Sequence, residues 1–134
     1  MITENELKIL ASEYPAQLTN TNNVPFGAII DTMSENEEVK LAFPTYMCLH
    51  GARRFRFAAV VITSKRIIIA GKPSIISFKP SVFSFSLNKI SSCGNWGANI
   101  TVNITGDKAL NFSGFSNEVK ARLSSKIQEI VDGL

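Results

Sequence analysis

The feature of this chain that most restricts its fold is a pair of apolar runs separated by only four polar residues. The segment VVITSKRIIIAGK, residues 60–72, interrupts its first run at Thr63 and begins the second after Arg66. Neither run approaches the roughly 20 residues that a membrane span requires. A tight polar reversal between two short apolar runs is typical of a β-hairpin. The segment therefore predicts two half-buried or fully buried strands joined through Ser64 and Lys65.

Other apolar runs with a period near two accompany this hairpin. The alternation is clearest in VFSFSL, where Phe83 and Phe85 would face one side and Ser84 the other. Pro44 suggests that the first strand is an edge strand or carries a bulge. Short strands without intervening helices favour antiparallel β-structure. The predicted strands are residues 39–49, 55–63, 66–71, 82–87, 100–105 and 109–115. The predicted turns are Gly71-Lys72-Pro73, Gly94-Asn95 and Gly106-Asp107.

Helical spacing appears at both ends of the chain. Thr3 and Glu6 have the spacing of a capping box, and a second short helix is predicted from Phe26 to Met33. A longer C-terminal helix is predicted after Ser116, which is a suitable N-cap. An apolar stripe at helical spacing must be buried on the strands or on a partner. The stripe comprises Val119, Leu123, Ile127, Ile130 and Leu134.

Charge is distributed unevenly along the 134 residues. Residues 1–38 hold one basic and seven acidic residues, whereas residues 39–134 hold thirteen basic and four acidic ones. Residues 40–106 contain no acidic residue. Two interpretations follow: the acidic N-terminal segment packs on the basic body and neutralises it, or the basic body forms a surface for an anionic partner.

The sequence predicts no catalytic, metal or cofactor site. The single histidine, His50, and the two cysteines, Cys48 and Cys93, do not have metal-ligand spacing, and no nucleophile or phosphate-binding motif is present. Buried structural thiols are expected, because Cys48 is poorly placed along a strand for activation by His50. The N-terminal residues MITENELK are acidic where a secretory signal would be basic and then apolar. We therefore predict a non-enzymatic cytoplasmic protein with reduced thiols.

The order of these elements, with several antiparallel strands followed by one amphipathic helix, resembles a bacterial pleckstrin-homology-like (PH-like) domain of the YokE-like group. The resemblance rests on VVITSKRIIIAG, FSFSLNKISSCG, the acidic entry MSENEEVKLAF and the closing helix, and it covers roughly residues 34–132. It implies an α+β fold: an antiparallel barrel or sandwich of about seven strands, capped by the C-terminal helix and preceded by short helices. Residues 1–34 are expected to form a helical segment packed on a PH-like body of residues 35–134, within a single domain.

The resemblance also implies a site. In phosphoinositide-binding PH domains, basic residues near the loop between the first two strands contact phosphates, and Arg54-Phe55-Arg56 resembles their basic-x-Arg pair. Guanidinium groups suit phosphate because they donate paired hydrogen bonds. The alternative is that the arginines protect a strand edge or contact the acidic N-terminal segment. The candidate anion- or lipid-binding residues are Arg53, Arg54, Arg56, Lys65 and Arg66.

The predicted function is therefore a binding or scaffolding module that mediates protein–protein interaction or self-association. The alternative is peripheral binding of anionic lipid headgroups through the basic loop between strands one and two. A protein partner or homo-oligomer is expected, and an anionic membrane surface is the second candidate. Nucleic acid is a weaker candidate, because alternation directs Phe55 and Phe57 away from the arginines, where they cannot stack on bases.

Overall fold

A computed structural model of the chain describes residues 1–17, 24–49, 53–72, 79–97, 99–106 and 108–134. Within these ranges the chain forms three α-helices, seven β-strands and a short 3-10 turn at Leu87–Lys89. The helices are α1 (Glu4–Ala11), α2 (Phe26–Ile30) and α3 (Asn117–Asp132). The strands are β1 (Val39–Leu49), β2 (Arg53–Thr63), β3 (Arg66–Lys72), β4 (Ser81–Ser86), β5 (Ile90–Trp96), β6 (Asn99–Ile104) and β7 (Lys108–Ser113).

The seven strands form one open antiparallel sheet in the order β4-β3-β2-β1-β7-β6-β5. The hairpin predicted from the two apolar runs is confirmed: β2 ends at Thr63, β3 begins at Arg66, and Ser64 and Lys65 connect them. The α+β class, the seven antiparallel strands, the C-terminal helix and the short N-terminal helices are confirmed as well. Strands β4 and β5 lie at the two ends of the sheet.

Helix α3 covers one face of the sheet. The Ser116 hydroxyl caps the helix by accepting a hydrogen bond from the Val119 amide at 3.2 Å. Leu123 and Ile127 are fully buried in the main core, together with side chains of β1, β2, β6 and β7. The predicted stripe is wrong at its last member, because Leu134 follows the end of α3 and is 65% exposed.

The N-terminal helices cover the opposite face of β1, β2 and β3. The capping box is confirmed, since the Thr3 hydroxyl accepts from the Glu6 amide and the Glu6 carboxylate accepts from the Thr3 amide. Buried residues of α1 and α2 form a second core cluster with side chains of the sheet. Residues 58–62 of β2 and 67–71 of β3 are consequently buried on both faces, which explains why these segments carry no charged residue. The cluster includes Leu7, Ala11, Phe26, Ile29, Ala59, Val61, Ile68 and Ala70.

Two expectations about the strands are wrong. Gly94 and Asn95 do not form a turn, because both lie inside β5 and pair with Thr101 and Ile100 of β6. The first strand is not an edge strand, since β1 pairs with β2 on one side and with β7 on the other. The alternative prediction for Pro44, a bulge, agrees with the structure, because the β1–β2 register shifts between Thr45 and Met47, directly after Pro44. The division into residues 1–34 and 35–134 stays a prediction.

Candidate functional site

Arg66, one of the five candidate anion-binding residues, is bound to a carboxylate of its own chain. Its Nε and Nη2 atoms donate to the two carboxylate oxygens of Glu37 at distances of 2.8–3.2 Å. The same Nη2 donates to the carbonyl oxygen of Thr32 at 2.6 Å. The Glu37 side chain is 3% exposed and that of Arg66 is 28% exposed. This guanidinium is therefore committed to an internal contact between the N-terminal segment and the sheet.

The buried threonine that ends β2 completes this network. The Thr63 hydroxyl donates to Glu37 Oε2 at 2.7 Å and accepts from the amides of Lys65 and Arg66 at 3.2 Å each. These contacts lower the pKa of Glu37 from 4.5 to about 2, and the hydrogen bond from Arg66 makes the largest contribution. The hydrogen bonds from Thr63 and Ser34 act in the same direction, whereas burial of the carboxylate raises the pKa. The Thr-x-x-Arg motif therefore fixes the β2–β3 turn.

The structure separates the five candidate residues into two groups. Arg53, Arg54 and Arg56 lie at the start of β2, whereas Lys65 and Arg66 follow its other end. An extended strand rises about 3.3 Å per residue, which puts the two groups roughly 30 Å apart. The β1–β2 loop, residues 50–52 with His50, lies outside the described residues. The two groups of candidate residues therefore lie toward opposite ends of β2, and their role in binding an anion stays a prediction.

The first group lies on a part of the β1–β2 hairpin that extends beyond β3. Lys72, the last residue of β3, lies opposite Phe57, whereas residues 53–55 pair with β1 and Arg56 lies within the register shift of that pair. Arg54 and Arg56 are exposed, whereas Phe55 between them is 2% exposed and belongs to the main core. We refer to Arg54 and Arg56 as the basic hairpin end. It presents positive charge on a stretch of sequence that has no acidic residue.

Strand β4 forms one open edge of the sheet. It pairs with β3 from Gly71↔Ser81 to Arg66↔Ser86, and no other described strand lies on its far side. The residues from Ser81 to Ser86 carry no charge. Val82 is 38% exposed, and Phe83 and Phe85 are only half-buried. Proteins usually protect an edge strand with charge, proline or a bulge, and β4 contains none of these within its length.

The register of the ladder shows which peptide groups of β4 face outward. The Leu87 amide donates to the carbonyl oxygen of Lys65 at 3.1 Å, which continues the β4–β3 register by one residue. In an antiparallel ladder every second residue is hydrogen-bonded to the same neighbour. Phe85 and Phe83 are therefore bonded to β3 like Leu87, and the residues between them direct their N–H and C=O groups away from it. We call these outward groups of Val82, Ser84 and Ser86 the β4 edge.

The opposite edge strand, β5, is contacted by a helix, and its ladder is irregular, although Ser91, Ser92, Gly94 and Asn95 are exposed. Helix α3 packs beside it, and Lys120 of that helix donates to the carbonyl oxygen of Gly97 at 2.8 Å, directly after the strand. The β5–β6 register shifts between Ile90 and Ser92, which is a bulge-like irregularity. Both a covering helix and a bulge discourage a further strand from pairing at β5.

An open groove of about 410 Å³ lies on the outer face of β5, β6 and β7. Its lining is uncharged and is partly paired internally, since Thr101 donates to Asn111 at 2.8 Å and Asn103 to Ser92 at 2.8 Å. Cys93 also lines it, and burial raises the pKa of this thiol to about 11. A thiol with a raised pKa stays protonated and is a poor nucleophile. Cys93 is therefore not an activated thiol among the described residues of the groove.

Two further observations concern the described residues. They contain no group of three or more His, Cys, Asp or Glu side chains that could hold a metal ion. No helix among them is long and apolar enough to cross a membrane. Both cysteines, Cys48 and Cys93, are free and half-buried.

Sequence reasoning missed two features of this surface. Glu37 was visible as an acid before the first strand, but its partner Arg66 lies 29 residues away, and only tertiary structure joins them. The alternation of β4 was recognised, but its position at the edge depends on the order of the whole sheet. The symmetric triplet Phe83-Ser84-Phe85 was the one feature of the sequence that could have indicated a self-complementary strand.

The arrangement of seven antiparallel strands and a closing helix matches solved pleckstrin-homology domains. The PH domain from Shewanella amazonensis SB2B has a TM-score of 0.51 and 18% identity, covering 80% of this chain and 95% of that chain. The complex of the PDZ-RhoGEF DH/PH domains with GTP-γ-S-activated RhoA has a TM-score of 0.60 and 9% identity, covering 98% and 41%. The truncated linker-DH/PH domains of p115-RhoGEF have a TM-score of 0.60 and 8% identity, covering 98% and 41%.

These similarities define the fold. This chain has a PH-like fold, as the resemblance in its sequence implied. It spans about two fifths of the length of these two exchange-factor chains. No protein-family model and no curated protein matches the sequence.

Proposed function

We propose that this protein is a non-enzymatic PH-like module that binds protein by accepting an added strand at its β4 edge. One observation carries the proposal: an uncharged, partly apolar strand with outward peptide groups at Val82, Ser84 and Ser86 lies at the end of a regular ladder. Strand addition gains affinity from main-chain hydrogen bonds and specificity from alternate side chains. We further propose a cytoplasmic location and a relationship to the YokE-like group.

The test is a fluorescent peptide with the sequence of residues 79–88, titrated with dilute protein and followed by anisotropy. Ser84→Pro removes one outward N–H while leaving the main-chain hydrogen bonds between β4 and β3 in place. Like Ser84→Ala, it also removes the Ser84 hydroxyl, which accepts a hydrogen bond from Arg66 Nη1 at 3.4 Å. Ser84→Ala is the matched control, because it keeps the N–H. We expect the peptide to bind wild type and Ser84→Ala similarly and Ser84→Pro about ten-fold or more weakly. Equal binding to all three proteins, or no binding at all, would contradict the proposal.

A second candidate function is supported by the basic hairpin end. Exposed Arg54 and Arg56 extend beyond β3, where they could approach the anionic headgroups of a membrane surface. Each basic side chain near such a surface contributes about 1 kcal/mol, so attachment would be weak and reversible. The Debye length falls from about 10 Å at 0.1 M salt to about 3 Å at 1 M, so binding should fade as salt rises.

Liposome pelleting separates this second function from the first. A variant with glutamine at Arg53, Arg54 and Arg56 should lose binding to anionic liposomes, whereas neutral liposomes should bind little of either protein. Lys65→Gln is the matched control, because it removes an exposed positive charge at the far end of β2. If the triple variant and wild type pellet equally at low salt, the basic hairpin end is not a membrane site.

A further inference from the structure

We propose that the strand added at the β4 edge is β4 of a second copy of this chain, antiparallel about a two-fold axis through Ser84. The inference rests on the proposed function, since it names the partner of the same edge. It requires that the edge be self-complementary, because a two-fold interface brings each residue opposite its symmetry mate. The hydrogen-bond pattern, the side chains and the charges of β4 each meet this requirement.

The outward peptide groups have the spacing that a two-fold axis requires. With the axis at Ser84, this residue lies opposite Ser84 of the second copy, and Val82 lies opposite Ser86 on both sides. All three positions direct their N–H and C=O groups outward, as argued above from the bond between Leu87 and Lys65. Each facing pair then exchanges two hydrogen bonds, about six in all. The two sheets become one continuous antiparallel sheet.

The side chains are symmetric about the same residue. The triplet Phe83-Ser84-Phe85 places a phenylalanine on each side of the axis, so Phe83 lies opposite Phe85 of the second copy. These are the non-hydrogen-bonded pairs, in which facing side chains come closest. Facing aromatic side chains stabilise a strand pair. Both rings are half-buried in the single chain, so each has surface left for its counterpart to cover.

The charges restrict the pairing without preventing it. No charged residue lies between Ser81 and Ser86, so the paired segment contains no like charges that face each other. Lys79 and Lys89 lie just outside this segment, and the two-fold axis brings them toward each other at both ends. Their repulsion is screened by salt. Pairing of copies should therefore hold or strengthen as salt rises, which is opposite to the response expected for membrane binding.

Site-directed cross-linking tests both the partner and the register. In a background with Cys48→Ala and Cys93→Ala, whose folding is verified by thermal unfolding, Ser84→Cys places two thiols across the axis. Facing hydrogen-bonded residues have Cα atoms about 5.5 Å apart, which a disulfide can bridge. Ser86→Cys is the matched control, because its two copies would lie roughly 13 Å apart along the strands. A mixture of Val82→Cys and Ser86→Cys places their thiols opposite each other again.

We expect mild oxidation to yield at least about ten-fold more covalent dimer for Ser84→Cys than for Ser86→Cys. The mixture of Val82→Cys and Ser86→Cys should yield dimers that neither variant forms alone. Equal yields for Ser84→Cys and Ser86→Cys, or no dimer from either at high micromolar protein, would overturn the inference. If the peptide of residues 79–88 still binds in that case, the edge accepts an isolated strand but does not pair with β4 of a second folded copy, and the proposed function stands; if it does not bind, both fail.

Discussion

The two edge strands of the sheet, β4 and β5, differ in their neighbours and in the regularity of their ladders. At β5, helix α3 packs alongside, Lys120 is bonded to Gly97, and the register shift after Ile90 disturbs the ladder. At β4, a regular ladder ends in an uncharged strand whose phenylalanines are only half-buried. An edge that is neither covered nor interrupted invites a further strand. This difference is the basis of our proposal that further strands add at β4 rather than at β5.

The largest expected effect comes from weakening the helix that covers β5. Leu123 is fully buried in the main core, so Leu123→Ala should lower the free energy of unfolding by about 2–5 kcal/mol. Denaturant unfolding measures this change. The variant should also expose β5 and aggregate more readily, and Ser84→Pro should not suppress that aggregation, because it acts at the other edge. A loss below about 0.5 kcal/mol would mean that the helix does not pack as described.

Acid should loosen the β4 side of the sheet more than the β5 side. The pKa of Glu37 lies at about 2 in the folded protein and at 4.5 ordinarily. Because the folded value is the lower one, the ionised carboxylate stabilises the protein above pH 4.5, and this stabilisation is lost as pH falls toward 2. A difference of this size corresponds to roughly 3 kcal/mol.

Glu37→Gln tests this prediction. The variant should be less stable than wild type at neutral pH, and the difference should shrink as pH falls from 4.5 toward 2. Because Arg66 lies opposite Ser86 of β4, hydrogen exchange should accelerate in β3 and β4 before β5. Glu38→Gln is the matched control, since that carboxylate is 74% exposed and contacts Lys40. Identical pH profiles for both variants would contradict the role assigned to Glu37.

A smaller effect is expected at the other end of β3. A Cβ atom at Gly71 would lie 2.6 Å from the ring of Phe55, which packs on Phe83 of β4 at a centroid distance of 5.9 Å. Gly71→Ala should therefore lower stability by about 1–3 kcal/mol and displace the aromatic face of β4. Gly94→Ala in β5 is the control, because no atom lies within 4 Å of its added Cβ. Equal melting temperatures for the two variants would contradict this packing.

Much of the fold could be predicted from the sequence, because local chemistry determines it. Polar residues 63–66 between apolar runs predicted the hairpin, and helical spacing predicted the burial of Leu123 in α3. Strand β5 was missed because ISSCGNW has no clear alternation and contains the turn signal Gly94-Asn95. Pro44 indicated either an edge strand or a bulge; β7 pairs with β1 just beyond it, and the β1–β2 register shifts after Thr45, so the second alternative applies.

The candidate site was less predictable, because it depends on contacts between distant parts of the chain. Arg66 and Arg54 have the same side-chain chemistry. Only the fold brings Glu37 to Arg66 and leaves Arg54 exposed. The roles of the basic residues therefore could not be separated from the sequence. Likewise, the alternation of β4 was visible, whereas its position at the end of the sheet follows from the pairing of seven strands.

Solution mass as a function of concentration tests the central claim most directly. Light scattering on wild type should show the mass rise from the 14.7 kDa of one chain toward twice that value as the protein reaches high micromolar concentration. Ser84→Ala should behave in the same way, while Ser84→Pro should stay near one chain with its melting temperature little changed. A wild-type mass that stays at one chain throughout, or a Ser84→Pro variant that associates as well as wild type, would contradict pairing at the β4 edge.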